Sequence, residues 1–146
     1  MQYQIITDSA CDLPQAMLQE LDISAVSLTV NFRGETRNDS VADADVKELY
    51  DAMRSGEVAT TAAVNPDGWA NVIEPVLQEG KDALIIAFSS GLSTTYQSAV
   101  IAAETLREEF PDAKICTIDS KSASLGQGLY VWLCAQQKLS GKTLDE

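Results

Sequence analysis

Residues with hydroxyl side chains are concentrated in three segments of this 146-residue sequence, and each segment follows a short apolar run. The segments are residues 7–9 (TDS), 89–95 (SSGLSTT) and 119–122 (DSKS), and Thr60-Thr61 is a fourth, smaller candidate. Hydroxyl groups beside the unpaired backbone N–H groups of a helix start favour the binding of an anion. We therefore expect these segments to form a polar pocket for a small anion or a carboxylate.

A structural role competes with ligand binding at each of these residues taken alone. A serine before a helix, such as Ser93, is most often an N-cap, and aspartates that follow strands, such as Asp8 and Asp119, usually stabilise turns. Two features favour a pocket. Ligands of open α/β sheets bind beyond the carboxyl ends of the strands, where the hydroxyl-rich segments converge, and Gly91 lets the backbone approach a ligand closely.

The composition excludes several classes of function. The sequence contains no histidine, which excludes a Ser-His-Asp triad and a His-ligated metal site. A net charge of −12 opposes binding to nucleic acid, which requires basic patches. The three cysteines, Cys11, Cys116 and Cys134, are far apart and form no CxxC motif. We predict no metal, no cofactor and no nucleic-acid partner.

Motifs for nucleophilic or nucleotide chemistry are incomplete. Residues 91–93 (GLS) begin the G-x-S-x-G elbow but lack its second glycine. Residues 126–128 (GQG) begin G-x-G-x-x-G, but Val131 stands at the third glycine. Asp8 and Asp12, four residues apart, make only a weak Mg²⁺ pair. We therefore predict no catalytic residue.

The elements that must position these residues follow from the hydrophobic pattern. Predicted strands cover Tyr3–Thr7, Ala25–Phe32, Ala83–Phe88 and Lys114–Asp119. Predicted helices run from Pro14 to Leu21, from the cap Asp43 to Gly56, and over Asp67–Glu79, Thr94–Phe110 and Gly126–Leu139. We expect a turn within Asn31–Gly34 and place Thr60-Thr61 in a loop. Alternating strands and helices predict one α/β domain, with a mainly parallel sheet and helices on both faces.

Three stretches of the sequence resemble motifs of the DegV family. Residues 5–14 (IITDSACDLP) resemble the family's opening TDS-x-x-D-L-P, and residues 89–99 (SSGLSTTYQSA) resemble its SSGLSGTYQSA loop and helix start. Residues 119–128 (DSKSASLGQG) resemble its DS…S-x-G-x-G stretch. The stretches occur in the family's order along the whole chain, so the sequence is identified as a member of that family.

The resemblance implies a function. DegV proteins are the fatty-acid-binding components of bacterial fatty acid kinase systems. Hydroxyl groups hold the carboxylate of one long-chain fatty acid, and a separate kinase subunit phosphorylates the bound acid, so the binding protein performs no chemistry. The family's carboxylate-binding serine matches Ser93, and the threonine of its T-T-S-Q-P-S loop matches Thr61. The candidate ligand-binding residues are then Asp8, Ser9, Thr61, Ser90, Gly91, Ser93 and Thr94.

The sequence departs from the family pattern in three residues and in length. Ala62 and Ala63 replace a polar Ser and Gln beside Thr61, which removes two hydrogen-bonding side chains near the head group. Thr94 replaces a glycine beside Ser93. These changes predict an altered acid preference or a loss of binding. Family members also carry a C-terminal lobe that helps to enclose the acyl chain, so we expect residues 1–146 to be the N-terminal lobe alone.

Two alternatives to lipid binding stay open. One is a metal-dependent phosphotransfer or hydrolase enzyme that uses Asp8 or Asp119. The other is a module that mainly mediates association, including a homo-oligomer formed through exposed apolar surface. The longest apolar runs, Ala83–Phe88 and Leu129–Ala135, are too short to cross a bilayer, and residues 1–4 lack the basic start of a signal peptide. We therefore expect a cytoplasmic protein without a membrane span.

Overall fold

The computed structural model describes residues 2–39 and 43–146, in which strands and helices alternate. The strands are β1 (Tyr3–Asp8), β2 (Ile23–Val26), β3 (Thr29–Phe32), β4 (Glu35–Asn38), β5 (Ala59–Ala62), β6 (Asp82–Ala87) and β7 (Ile115–Asp119). The helices are α1 (Gln15–Glu20), α2 (Asp43–Arg54), α3 (Pro66–Gln78), α4 (Thr95–Glu109) and α5 (Ser124–Leu139), and a 3₁₀ turn covers Ser9–Cys11. Within the described part of the chain, no helix is long and apolar enough to span a lipid bilayer.

A parallel sheet with the strand order β2-β1-β6-β7 forms the centre of the molecule. Successive side chains of a strand point to opposite faces, so an apolar strand such as β6 must be covered on both sides. All six residues of Asp82–Ala87 are buried. On one face, Trp69 of α3 shares a core with Ile85, and on the other face Val131 of α5 shares a core with Ile86. The predicted α/β fold with helices on both faces of a parallel sheet is confirmed.

A second, smaller sheet is antiparallel, with the strand order β4-β3-β5. Val30 and Phe32 of β3 pack against α2 in a small core of their own. Arg33 and Gly34 connect β3 to β4, and both have positive φ angles, 53° and 78°. Two positive φ angles define a type I′ hairpin turn, which favours glycine at its second position. The turn predicted within Asn31–Gly34 is therefore confirmed.

The prediction of one continuous strand over Ala25–Phe32 is wrong. The chain leaves the parallel sheet after Val26 and enters the antiparallel sheet at Thr29. Between the two strands, the backbone N–H of Leu28 donates to Ser9 Oγ at 3.0 Å instead of to a strand partner. Buried and exposed residues still alternate through this break, so the hydrophobic pattern resembles that of one strand.

One prediction outside the parallel sheet also differs from the structure. Thr60-Thr61 lies in β5 and not in a loop, and Thr61 pairs with Val30 of β3. Strand β5 is polar and mostly exposed, so it lacks the apolar alternation that marks a strand. Helix α2 begins at Asp43, as predicted, and the predicted cap by the Asp43 side chain stays a prediction, because that side chain lies outside what the structure describes.

Candidate functional site

The loop that joins β6 to α4, residues 88–94, starts at the carboxyl end of a central strand of the parallel sheet. This is the edge at which open α/β sheets bind ligands. The backbone N–H groups of Leu92 and Ser93 both donate to the carbonyl oxygen of Ser89, at 3.0 and 3.1 Å. The N–H of Gly91 donates to Ser89 Oγ at 3.2 Å. Ser89 thus holds the loop as a compact turn in front of α4.

Ser93 lies just before α4 and its hydroxyl contacts the first helical residue. Its Oγ is 2.8 Å from Thr95 Oγ1 and accepts a hydrogen bond from the Thr95 N–H at 3.2 Å. Ser93 is half-buried, whereas Thr94 is exposed and its side chain makes no capping hydrogen bond. The backbone N–H groups of Thr94, Tyr96 and Gln97 have no acceptor among the described residues. Hydroxyl and N–H donors therefore gather at this helix start.

Two aspartates hold the start of the loop from the neighbouring strands. Asp8, at the end of β1, accepts a hydrogen bond from the Phe88 N–H through Oδ2 at 2.8 Å. Asp119, at the end of β7, accepts one from the Ser90 N–H through Oδ1 at 3.1 Å. Because β6 lies between β1 and β7, the two carboxylates continue the hydrogen bonding of the sheet beyond the end of β6.

The carboxylate of Asp8 is buried and directed into the protein. Besides Phe88, the Ala10 N–H and the Gln127 Nε2 donate to its Oδ1, at 3.1 and 3.2 Å. Burial raises the pKa of Asp8 to about 6, although the hydrogen bonds from Phe88, Gln127 and Ala10 act in the opposite direction. The charge of Asp39 adds a smaller upward effect on this pKa.

The carboxylate of Asp119 has the opposite electrostatic character. Partial burial on its own would raise its pKa, but hydrogen bonds from Lys121 and Ser90 outweigh that effect and hold the pKa well below the usual range. The Nζ of Lys121 is 2.6 Å from Asp119 Oδ2 and also donates to Ser90 Oγ at 3.0 Å. The negative charge of Asp119 is therefore paired and does not strongly repel an anion at the loop.

The predicted site residues do not all lie together. On or beside the β6–α4 loop are Asp8, Ser90, Gly91, Ser93 and Thr94. Ser9 is buried and its Oγ accepts the Leu28 N–H, so its hydroxyl is used in the fold. Thr61 is exposed in the other sheet, and its side chain makes no hydrogen bond to the described residues.

Carboxylates capable of binding a metal ion are dispersed. In residues 2–39 and 43–146, no group of three or more His, Cys, Asp or Glu side chains is arranged to hold a metal ion. Asp12, the weak Mg²⁺ partner considered for Asp8, accepts a hydrogen bond from Ser124 Oγ at 2.5 Å. Asp8 instead faces backbone N–H groups and the Gln127 amide. Each aspartate thus has its own protein partners.

Sequence reasoning did not identify Gln127 as a site residue. Its side chain is fully buried, and Nε2 donates to Thr7 Oγ1 and to Asp8 Oδ1, each at 3.2 Å. Its Oε1 is buried without a hydrogen-bond partner in the described part of the chain. A signal was present in the sequence, because Gln127 occupies the same face of α5 as the buried residues Val131 and Ala135.

Family and sequence comparisons place the chain among DegV proteins. A family model described as DegV, an uncharacterised protein family, matches residues 2–146. A DegV domain-containing protein of Clostridium perfringens is 40% identical over 145 residues, which cover 99% of this chain and 50% of that protein. The chain therefore spans about half the length of the curated relatives it matches.

Solved structures with a similar fold include two fatty-acid-binding proteins. A stearic acid-binding protein from Eubacterium ventriosum matches with a TM-score of 0.89 and 28% identity, over 99% of this chain and 50% of the other. A fatty-acid-binding DegV family protein from Thermus thermophilus matches with a TM-score of 0.85 and 32% identity, again over 99% and 50%. The β6–α4 loop described above therefore lies in a fold that both proteins share.

Proposed function

This chain belongs to the DegV family, and on that premise we propose that it binds a long-chain fatty acid by its carboxylate. In this proposal Ser93 and Thr61 donate hydrogen bonds to the carboxylate. The observation that carries the proposal is the half-buried Ser93 hydroxyl at the start of α4, beside backbone N–H groups without acceptors. The fatty-acid-binding neighbours in Eubacterium ventriosum and Thermus thermophilus support the same class of ligand.

The electrostatics of the loop favour an anion locally, although the whole chain carries a net charge of −12. The start of α4 supplies the positive end of a 15-residue helix dipole and its free N–H groups. Lys121 neutralises Asp119 and lies within hydrogen-bond distance of Ser90 Oγ. A carboxylate at Ser93 would thus meet favourable short-range contacts against an unfavourable long-range field.

Thr94 adds a feature of its own to the proposed site. Its side chain makes no capping hydrogen bond and is exposed next to Ser93. Where the resemblance leads one to expect glycine, this chain therefore offers an additional hydroxyl donor. We propose that Thr94 offsets the loss of the two polar side chains at Ala62 and Ala63.

The proposed role is that of a carrier, with the bound acid phosphorylated by a separate kinase subunit. The enzymatic alternative would use Asp8 or Asp119, but both carboxylates already have protein partners. Asp8 accepts three hydrogen bonds from the protein, and Asp119 is paired with Lys121, which supports the carrier role. Metal-dependent turnover that is abolished by Asp8→Asn would favour the enzyme instead. A cytoplasmic location and the organisation of these residues as one lobe of a two-lobed protein stay predictions.

A serine substitution tests the proposed site. Ser93→Ala in the full chain removes the hydroxyl and should weaken the binding of stearate by roughly 1–3 kcal/mol, because a charged acceptor loses one donor. Ser98→Ala is a matched control, because Ser98 is half-buried like Ser93, lies on α4, and its Oγ donates to the Thr94 carbonyl at 3.2 Å. Affinities are measured by titration of delipidated protein.

Two results would count against fatty-acid binding at this loop. Equal stearate affinity of Ser93→Ala and the unsubstituted chain would reduce Ser93 to a helix cap. Absence of any long-chain acid in mass spectra of the purified protein, together with no thermal shift on addition of oleate or palmitate, would contradict the ligand class itself.

Exposed apolar side chains on α5 favour a second candidate function, association with another protein. Residues 124–137 of this helix include no charged side chain, and Leu125, Leu129 and Leu133 are 61%, 58% and 46% exposed. A groove of about 340 Å³ between α5 and β7 adds Ile118 to this surface. A homo-oligomer through this surface is a prediction, and light scattering that shows a strict monomer without ligand would contradict it.

A further inference from the structure

A buried chain of hydrogen bonds connects α5 to the β6–α4 loop. The Nε2 of Gln127 donates to Asp8 Oδ1 at 3.2 Å, and Asp8 Oδ2 accepts the Phe88 N–H at 2.8 Å. Phe88 is the first residue of the loop that ends next to Ser93. Both Asp8 and Gln127 are fully buried, so water does not compete for these contacts.

Burying the polar amide of Gln127 on the core face of α5 costs free energy. Its neighbours on that face, Val131 and Ala135, are apolar, and its Oε1 has no hydrogen-bond partner in the described part of the chain. A methionine of similar length would fill the same space without leaving an unpaired polar atom. The amide is therefore explained better by the contacts of its Nε2 than by packing.

We propose that Gln127 is a positioning residue for the carboxylate site, which orients Asp8 and thereby fixes the β6–α4 loop and Ser93. This inference rests on the proposed function of the loop in binding a fatty acid. Neither Gln127 nor Asp8 touches the ligand in this account. Their role is to hold the first N–H group of the loop in place.

The proposal has a pH-dependent signature because Asp8 is ionisable. When Asp8 gains a proton, one of its oxygens can no longer accept freely from the three N–H donors around it, so the loop loses part of its anchor. Ionisable groups of the described residues that interact with Asp8 are Asp39, which follows β4, and Cys11 in the 3₁₀ turn. Helix α5 presents the neutral Gln127, and the β6–α4 loop presents the Phe88 N–H.

The sign of the expected effect follows from these contacts. Burial raises the pKa of Asp8 to about 6, and the Gln127 hydrogen bond lowers it. We expect stearate affinity to fall as the pH falls through that region. Gln127→Met removes the lowering contact, so the fall in affinity should begin at a pH higher by roughly half to one unit. At neutral pH the variant should bind stearate roughly three- to tenfold more weakly.

The experiment compares stearate titrations of the full chain and two variants from pH 5 to pH 8. Gln127→Met is the test, and Gln137→Met, at an exposed position of the same helix, is the matched control. Weaker binding and a shifted pH profile in Gln127→Met alone support the proposal. If both variants have the same affinity and the same pH profile, the proposal is overturned. A merely structural role of Gln127 would not change the pH at which the stearate affinity falls.

A measurement on the unsubstituted chain covers the case in which Gln127→Met does not fold. The side-chain amide NMR signal of Gln127 should titrate with Asp8 and should shift on addition of stearate. A signal that titrates with Asp8 but does not respond to stearate overturns the proposal.

A failure of the proposed function can be distinguished from a failure of the role proposed for Gln127. If stearate does not bind to the unsubstituted chain, the carboxylate site is refuted. Amide hydrogen exchange of the loop in ligand-free protein then decides the coupling between Gln127 and the loop. Faster exchange of the loop amides in Gln127→Met than in Gln137→Met would support a coupling between Gln127 and the loop. Equal exchange in the two variants would refute it.

Discussion

Helix α5 approaches the 3₁₀ turn so closely at Gly128 that a methyl group does not fit. A Cβ atom built at this position would lie 2.5 Å from the carbonyl oxygen of Cys11 and 3.0 Å from Leu13 Cδ2. This carbonyl belongs to the last residue of the 3₁₀ turn that follows Asp8, and it cannot rotate away as a flexible side chain would. At Gly126, two residues earlier in the same helix, the nearest atom would be Ser122 Cβ at 3.7 Å, an ordinary contact.

The two glycines therefore give a matched pair of substitutions to alanine. Helix propensity favours alanine over glycine by up to about 1 kcal/mol at either position. Overpacking against fixed backbone at residue 128 costs roughly 2–3 kcal/mol, so we expect Gly128→Ala to lower the free energy of unfolding by roughly 1–3 kcal/mol. Gly126→Ala should leave it unchanged or raise it by up to about 1 kcal/mol. The expected gap between the variants is roughly 2–3 kcal/mol.

Urea unfolding followed by tryptophan fluorescence measures this gap directly. For a chain of this size, a difference of 2–3 kcal/mol should also appear as roughly 6–9 °C in Tm. The two variants must have similar m values for the comparison to report stability alone. A Gly128→Ala variant as stable as Gly126→Ala would refute the close approach of α5 to the 3₁₀ turn, and with it the geometry that brings Gln127 to Asp8.

Two further predictions concern buried polar groups. The rise in the pKa of Asp8 from 3.8 to about 6 means that its ionisation costs the folded state roughly 3 kcal/mol, a cost absent below about pH 4 and complete above about pH 6. The free energy of unfolding of Asp8→Asn minus that of the unsubstituted chain should therefore increase from about pH 4 to about pH 6. A difference that stays constant over this range would contradict the raised pKa of Asp8. Ser9→Ala leaves the Leu28 N–H without its acceptor and should cost roughly 1–3 kcal/mol in urea unfolding. Ser27 is exposed and directly precedes Leu28, so Ser27→Ala should cost less than about 0.5 kcal/mol. Equal losses in the two variants would contradict the role of Ser9 as the acceptor of the Leu28 N–H.

The parallel sheet was predictable because its signals are local. The apolar run of β6 and the apolar stripes of α3 and α4 occur within single segments, so periodicity alone locates them. The division of Ala25–Phe32 into two strands depends on a contact between Leu28 and Ser9, which are 19 residues apart. Strands β4 and β5 are polar and mostly exposed, so no hydrophobic pattern marks them.

The same distinction applies to the candidate site. The hydroxyl-rich loop and the helix start at Ser93 were visible in the sequence because they lie in one continuous segment. The loop is held by the side chains of Asp8 and Asp119, which belong to two other segments, and Gln127 of a third segment contacts Asp8. Only the folded sheet shows that these side chains supply hydrogen bonds where the strand pairing ends.

The two sheets carry separate apolar cores: a small one around Val30 and Phe32, and two larger ones on the two faces of the parallel sheet. Units of this kind generally open at different free energies, with the smaller one opening first. Thr61 belongs to the smaller unit and Ser93 to the larger one. A carboxylate held by both hydroxyls would link the two opening reactions, so the loaded protein would unfold as one cooperative unit where the empty protein opens in stages.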